Sequence, residues 1–237
     1  MQHCRMIRLA DPAAVAAAAA GRLLAAMSAN PGRIAVCLSG GGTPRPLYDL
    51  LATDTYAAAI PWDRVHWFMG DERVVPATDP RNNFREVCEA FLKSRAPADH
   101  LHPVPTGSGS AETAARLYAE ELQQFYGGTR LDERRPLFDL VFLGVGADGH
   151  TASLFPGGSA IDVEDRWAVA VAPPRVPPHV PRVSLTRPVL ASCRTMVFLV
   201  TGEGKRDIMR RLSIDHTLPA ARVASQCETL WLHDMAS

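Results

Sequence analysis

Four consecutive hydrophobic residues, Leu140-Val141-Phe142-Leu143, run directly into Gly144-Val145-Gly146-Ala147-Asp148-Gly149-His150. A strand that is apolar on both faces needs cover on both sides, which is the condition of a central strand in a parallel sheet flanked by helices. In open α/β sheets ligands gather beyond the carboxyl ends of such strands. Here that end turns on glycines and presents Asp148 and His150. Two residues apart across Gly149, both side chains can point into one cleft. An imidazole titrates near neutral pH, and the carboxylate can orient it or bind substrate. Asp-Gly-His alone would better suit a tight turn with a surface histidine; the preceding glycines and two further signals favour a site.

The same grammar recurs along the chain. Ile34-Ala35-Val36-Cys37-Leu38 is a short apolar strand, followed by Ser39-Gly40-Gly41-Gly42-Thr43-Pro44 and a helix through Leu51. Val65-His66-Trp67-Phe68-Met69 predicts the next strand, with Gly70-Asp71-Glu72-Arg73 at its end and a helix over residues 83–93. A further helix is expected over residues 111–125. Beyond His150, residues 167–171 alternate weakly, as an edge strand would, and the prolines of residues 173–181 mark an extended connector. Residues 182–186 and 195–200 read as strands, Gly202-Glu203-Gly204-Lys205 opens a helix to Leu212, and residues 229–232 are expected to close the sheet. Strands alternating with helices at this spacing predict an α/β fold: a doubly wound, mostly parallel, Rossmann-like sheet with right-handed crossovers. With no linker and no internal repeat, residues 1–237 read as a single α/β domain.

Lys+Arg and Asp+Glu balance at 25 each, so overall charge points to neither nucleic acid nor an anionic membrane as main partner. A small anion remains possible, since a few converging cations need no net excess. Cys4, Cys37, Cys88, Cys193 and Cys227 are odd in number, widely spaced and without a Cys-x-x-Cys pair, which favours reduced thiols in a cytoplasmic protein over disulfides or a zinc site. The alanine-rich stretch after Arg5 and Arg8 is interrupted by Gly21 and Arg22. Asp11-Pro12 before it reads as an N-cap with proline at the first helical position, so a surface helix is expected rather than a signal peptide. No segment is expected to reach the ~20 apolar residues that span a bilayer.

Successive glycines in Ser39-Gly40-Gly41-Gly42-Thr43 let backbone N–H groups face one point ahead of a helix start, which suits a phosphate. A flexible turn with Thr43 as N-cap is the plainer alternative. The run lacks both the Gly-x-Gly-x-x-Gly of dinucleotide folds and the Gly-Lys-Ser/Thr of nucleotide loops, making a phosphorylated small molecule the better ligand. Asp71 and Glu72 can accept from sugar hydroxyls, and Arg73 can bind an oxyanion in a fork. Arg182 and Lys205 are further cations at element starts, although each alone could be a surface charge.

Together, the segment Leu38 through Tyr48, Gly70-Asp71-Glu72-Arg73-Val74-Val75-Pro76 with Asn82-Asn83, the run Gly144 through Pro156, and Arg182-Val183-Ser184-Leu185-Thr186 with Gly202 through Lys205 resemble the 6-phosphogluconolactonase family. The likeness runs in order from about residue 34 to 232, and Asp148-Gly149-His150-Thr151-Ala152-Ser153-Leu154-Phe155-Pro156 is its most specific string, with no departure at the matching positions. The resemblance implies hydrolysis of 6-phospho-D-glucono-1,5-lactone in the pentose phosphate pathway, without metal or organic cofactor, on the fold of sugar-phosphate isomerases. It assigns the base to His150, and phosphate and sugar contacts to Ser39, Gly40, Gly41, Gly42, Thr43, Arg73, Arg182 and Lys205; from the residues themselves, Asp148 is expected to orient the imidazole or hold a hydroxyl, and Asp71 is a further candidate for substrate contact. Two rivals share parts of the pattern. An amino-sugar-phosphate isomerase or deaminase shares the Asp-Gly-His turn, which in the deaminases continues to a Glu where Phe155 stands, and a non-catalytic sugar-phosphate regulator would have no use for His150.

Overall fold

The structure, a computed structural model, describes residues 3–235. In chain order it comprises β1 (His3–Arg8), α1 (Pro12–Ala29), β2 (Ile34–Leu38), α2 (Arg45–Leu51), α3 (Asp54–Ala59), β3 (Val65–Met69), β4 (Asp71–Arg73), α4 (Asn83–Val87), β5 (Leu101–His102) and α5 (Ala111–Tyr126). There follow β6 (Phe138–Gly144), β7 (Ala168–Val171), β8 (Arg182–Leu185), α6 (Arg187–Ala191), β9 (Cys193–Val200), α7 (Arg206–Leu212), α8 (Pro219–Arg222) and β10 (Glu228–His233). Seven strands form one parallel sheet in the order β1-β10-β9-β6-β2-β3-β5. This is a doubly wound, parallel α/β architecture. The core lies where patterning puts it: β2 is buried throughout, and Phe138, Leu140, Val141 and Phe142 of β6 are fully buried.

Four expectations need correction. Residues 229–232 do not close the sheet, because β1 pairs in parallel outside β10. Its arginines hid it: Arg5 and Arg8 are exposed, as suits charged residues on an edge strand. Secondly, β4, β8 and β7 form a separate antiparallel sheet with β8 in the middle, so the Arg182 strand lies outside the parallel sheet and residues 168–171 edge the smaller one. The chain passes between sheets at Gly70, whose N–H donates to Leu38 O while its carbonyl accepts from Leu185 N. Thirdly, α4 does not run regularly to Lys93; from Cys88–Leu92 it widens into a π turn.

Finally, α1 is long and apolar enough to cross a membrane by length and composition, contrary to the expectation from its interruptions. Its buried residues Val15, Ala16, Ala19, Ala20, Leu23 and Met27 recur at helical spacing and belong to the core, and α1 packs on α2 and β10. Asp11 caps it as expected, accepting from Ala14 N at 2.8 Å, with Pro12 in the first turn.

At the β5 edge, histidines form a stack. His66 Nδ1 lies 2.9 Å from His102 Nε2, His102 Nδ1 lies 2.7 Å from Glu121 Oε1, and the His100 ring stacks on His66 at 4.0 Å. Burial, then His100, His102 and Arg33, push His66 down to about 4, against an opposing pull from Asp99. The unfolded chain binds this proton near 6.5 and the folded chain only near 4, so the stabilisation is present above that window and lost as pH falls through it. His66→Phe, which keeps a ring in the stack, is expected to narrow the drop in Tm between about pH 7 and pH 4.5. An equal drop in both proteins, measured by thermal denaturation, would remove His66 as its source.

Candidate active site

The chain order creates the cleft. From β2 the chain winds toward β3 and β5, whereas from β6 it winds toward β9 and β10, yet β2 and β6 are neighbours. Connections leaving in opposite directions open a crevice beyond the carboxyl ends of the two strands. Into it come residues 39–43 after β2, residues 145–150 after β6, β4 after β3, and the short turn Glu203–Lys205 after β9. The cleft measures about 220 Å³ and is lined by Ser39, Gly40, Gly41, Gly42, Thr43, Asp71, Arg73, Gly146, His150, Arg182 and Lys205, together with Asn83 and Ala152. A larger groove of about 560 Å³ between α5 and β7 has no comparable convergence of cations; its Arg116 is paired with Glu120.

At the β6 side, a tight turn holds the imidazole. Gly146 N donates to His150 O at 2.8 Å and Gly149 N to Gly146 O at 3.0 Å, with Gly149 in the left-handed region at φ +92°. His150 Nδ1 lies 2.5 Å from Asp148 Oδ1, which also accepts the His150 backbone N–H at 3.1 Å. Partial burial pushes the Asp148 carboxyl upward, but its bonds to the His150 ring and backbone prevail and hold it below the ordinary carboxylate range. With Nδ1 so engaged, Nε2 is the ring nitrogen available to a ligand. The Phe155 ring flanks the imidazole, 4.6 Å between centroids. Gly146 is required sterically, since a Cβ there would lie 2.1 Å from His150 Nδ1 and 2.6 Å from Asp148 Oδ1.

The opposite wall is a network of buried polar groups. Glu72 is fully buried and accepts three backbone N–H bonds, from Arg73 at 2.8 Å and from Asn83 and Phe84 at 2.7 Å each. Burial raises its carboxyl to about 7 against the lowering pull of those donors. Asp71 Oδ2 accepts the Ser153 hydroxyl at 2.5 Å and faces Arg182 Nη1 at 4.0 Å. Desolvation lowers the Arg182 pKa, opposed by Asp71. Arg73 Nη1 donates to Arg81 O, Lys205 Nζ donates to Val145 O at 2.7 Å, and both Arg73 Nε and Arg182 Nε are buried without a partner. Tyr48 holds the start of the glycine loop, its hydroxyl donating to Ser39 O at 2.6 Å and accepting Ser39 N–H at 3.2 Å.

The structure therefore gathers the glycine loop, Asp71, Arg73, Arg182, Lys205 and His150 into one cleft. Asp148 is the exception: it stands behind the imidazole and lines the adjoining groove with Phe155 and Ser153 instead. Glu72 faces inward and braces backbone. Sequence reasoning gave no role to Asn83, whose position beside the Asp71-Glu72-Arg73 run was visible, or to Ser153, which no local signal marks as the partner of Asp71. Among the described residues no group of three or more His, Cys, Asp and Glu is arranged to hold a metal ion.

A crevice at the point where a parallel sheet reverses its winding, with an imidazole on one side and arginines on the other, places this chain among α/β proteins with a polar, cationic cleft at the strand ends. The match to known families is specific. Residues 10–231 fit the family described as glucosamine-6-phosphate isomerases/6-phosphogluconolactonase, and the chain belongs to that family. A 6-phosphogluconolactonase of Synechocystis sp. is 37% identical over 212 residues, 87% of this chain and 84% of the relative. The solved 6-phosphogluconolactonase of Thermotoga maritima superposes with a TM-score of 0.82 at 29% identity, covering 99% of this chain and 100% of that one. That of Trypanosoma cruzi gives 0.87 at 26%, covering 99% and 96%.

Gly146→Ala should separate the imidazole from Asp148 while leaving the fold intact, because the added methyl meets the ring and carboxylate rather than the core. The check is the downfield proton resonance of a short His150–Asp148 hydrogen bond. Its persistence in the variant would show that the turn accommodates the methyl.

Proposed function

We propose that the protein hydrolyses 6-phospho-D-glucono-1,5-lactone to 6-phosphogluconate, with His150 as general base. The observation that carries this reading is the shared cleft: an imidazole with one nitrogen tied to a carboxylate faces the same 220 Å³ space as Arg73, Arg182 and Lys205. A lactone with a phosphate at its far end asks for that pairing. Family membership and the names of the relatives support the same substrate.

In the proposed reaction, His150 Nε2 takes a proton from water as the oxygen attacks the lactone carbonyl. The tetrahedral oxyanion then collapses, the bond between carbonyl carbon and ring oxygen breaks, and the imidazolium returns its proton to the leaving oxygen. Asp148 holds the ring in one orientation and stabilises its charged form. General base catalysis contributes typically 10²–10⁴-fold, and positioning adds to it. No covalent nucleophile is required: Ser39 and Ser153 lie outside any Gly-x-Ser-x-Gly elbow. The cations and the N–H groups of residues 40–43 take the phosphate. Phe155, where an amino-sugar deaminase would carry an acid, offers no proton for ring opening and disfavours that rival.

His150→Ala is expected to lower kcat by about 10²–10⁴-fold while 6-phosphogluconate still binds, as read by a coupled assay on freshly generated lactone with the spontaneous rate subtracted. Unchanged turnover would refute the base, and binding without turnover in the wild type would favour a regulator. Arg182→Ala and Lys205→Ala should raise KM for the phosphorylated lactone far more than for an unphosphorylated one. Equal effects on both would remove the phosphate-anchor roles.

A further inference from the structure

Asn83 begins α4 in the cleft wall with 1% of its surface exposed. Its backbone N–H donates to Glu72 Oε1 at 2.7 Å, and its Nδ2 donates to the Asp71 carbonyl at 3.2 Å. A carbonyl oxygen can only accept, so the carboxamide has one orientation, with nitrogen toward Asp71. Its oxygen, Oδ1, is buried and has no hydrogen-bond partner. That atom lies against Gly40, where a Cβ would come within 1.9 Å of it. The glycine loop can therefore close on Asn83 only because position 40 lacks a side chain. A buried acceptor left without a donor is costly, and such atoms in native sites call for a ligand or a water.

Chemistry selects the donor. Most of the cleft offers donors itself: the glycine-loop N–H groups, Arg73, Arg182 and Lys205. The side-chain carboxylate in the lining, Asp71, already receives the Ser153 hydroxyl and faces Arg182. A phosphate dianion has no proton to give and would be repelled by a carboxamide oxygen, whereas a sugar hydroxyl donates readily. We infer that Asn83 is a specificity-determining residue whose Oδ1 accepts a hydrogen bond from one ring hydroxyl of the bound sugar. This rests on the reading that the cleft takes a phosphorylated sugar ring. Glu72 acts through Asn83 as a positioning residue, since it anchors the Asn83 and Arg73 backbones together.

The test is calorimetric titration of the full chain with 1,5-anhydro-D-glucitol 6-phosphate, a ring that cannot be hydrolysed, and with its 2-, 3- and 4-deoxy forms. In the wild type, removing one particular hydroxyl should weaken binding about tenfold, and in Asn83→Ala the same removal should cost less than about twofold. Inorganic phosphate should bind both proteins alike. The inference is overturned if Asn83→Ala keeps the wild-type discrimination, or if it loses phosphate and every ring ligand equally, as a purely structural residue would. Should Asn83→Ala fail to give a cooperative melt, the wild-type series decides: no deletion costing more than about twofold ends the case. Hydroxyl-dependent binding without lactone turnover would sink the lactonase reading and leave Asn83 in place. Normal turnover with discrimination indifferent to Asn83 would do the reverse, and no binding of any phosphorylated ring would end both.

Discussion

The pairing of β2 with β6 is the contact on which the cleft depends, because it sets side by side two strands whose connections depart in opposite directions. Backbone pairing joins them at Val36 with Leu140 and at Cys37 with Val141. Near the start of β6 a side chain extends the ladder: Asp139 Oδ2 accepts the Ala35 N–H at 2.9 Å, while Oδ1 accepts from Asn30 Nδ2 at 3.0 Å. Arg194 on the neighbouring β9 lies 3.3 Å from the same carboxylate. One buried acid therefore ties together the two sides of the crevice and the end of α1. Were the strands to slip by a single residue, every side chain would change face, and the glycine loop and the His150 turn would no longer share an opening.

Within the opening, close approach is arranged by omission. Position 146 must lack a Cβ for the imidazole to lie on the turn, and position 40 must lack one for the loop to meet Asn83. The glycines that read as a phosphate cradle thus also set how tightly the walls come together. Polar groups behind the walls supply rigidity. Glu72, out of water entirely, collects three backbone donors from two segments, and Asp71 joins Ser153 to Arg182 across the smaller sheet. Such networks are costly if half-satisfied and specify one arrangement if complete. The orphaned atoms of Arg73, Arg182 and Asn83 all belong to residues that line the cleft, where a ligand can complete them. A chain of zero formal charge consequently holds a cationic pocket, because its positive groups converge while many of its carboxylates are paired elsewhere.

Much of this could be read in the chain. Apolar runs located β2, β3, β6 and β9 within a residue or two, and Asp11-Pro12 marked the start of α1. Glycine and charge runs at strand ends named most of the cleft lining. What escaped reading had physical causes. β1 carries arginines at an edge, so its pattern does not look buried. β4 has three residues, all polar, and becomes a strand only because β8 lies beside it. α1 has a membrane-like composition, yet its buried stripe faces the sheet, a distinction composition does not contain. The role of Glu72 was concealed because a buried carboxylate that serves backbone donors has the same local sequence as one that serves a ligand.

By itself, the sequence determined the alternation of strand, glycine turn and helix, since hydrophobic periodicity and backbone permissiveness are local properties of the chain. It also determined which chemical groups stand at the strand ends. Only the tertiary structure decided that the turns after β2 and β6 meet across one crevice, that β4 and β8 peel away to bring Arg73 and Arg182 to its wall, and that Asp148 stands behind the imidazole. Those outcomes depend on strand order and on distances between groups more than 100 residues apart in the chain, as between Asp71 and Arg182. No local pattern encodes such distances, because they are set by how the whole chain buries its apolar surface.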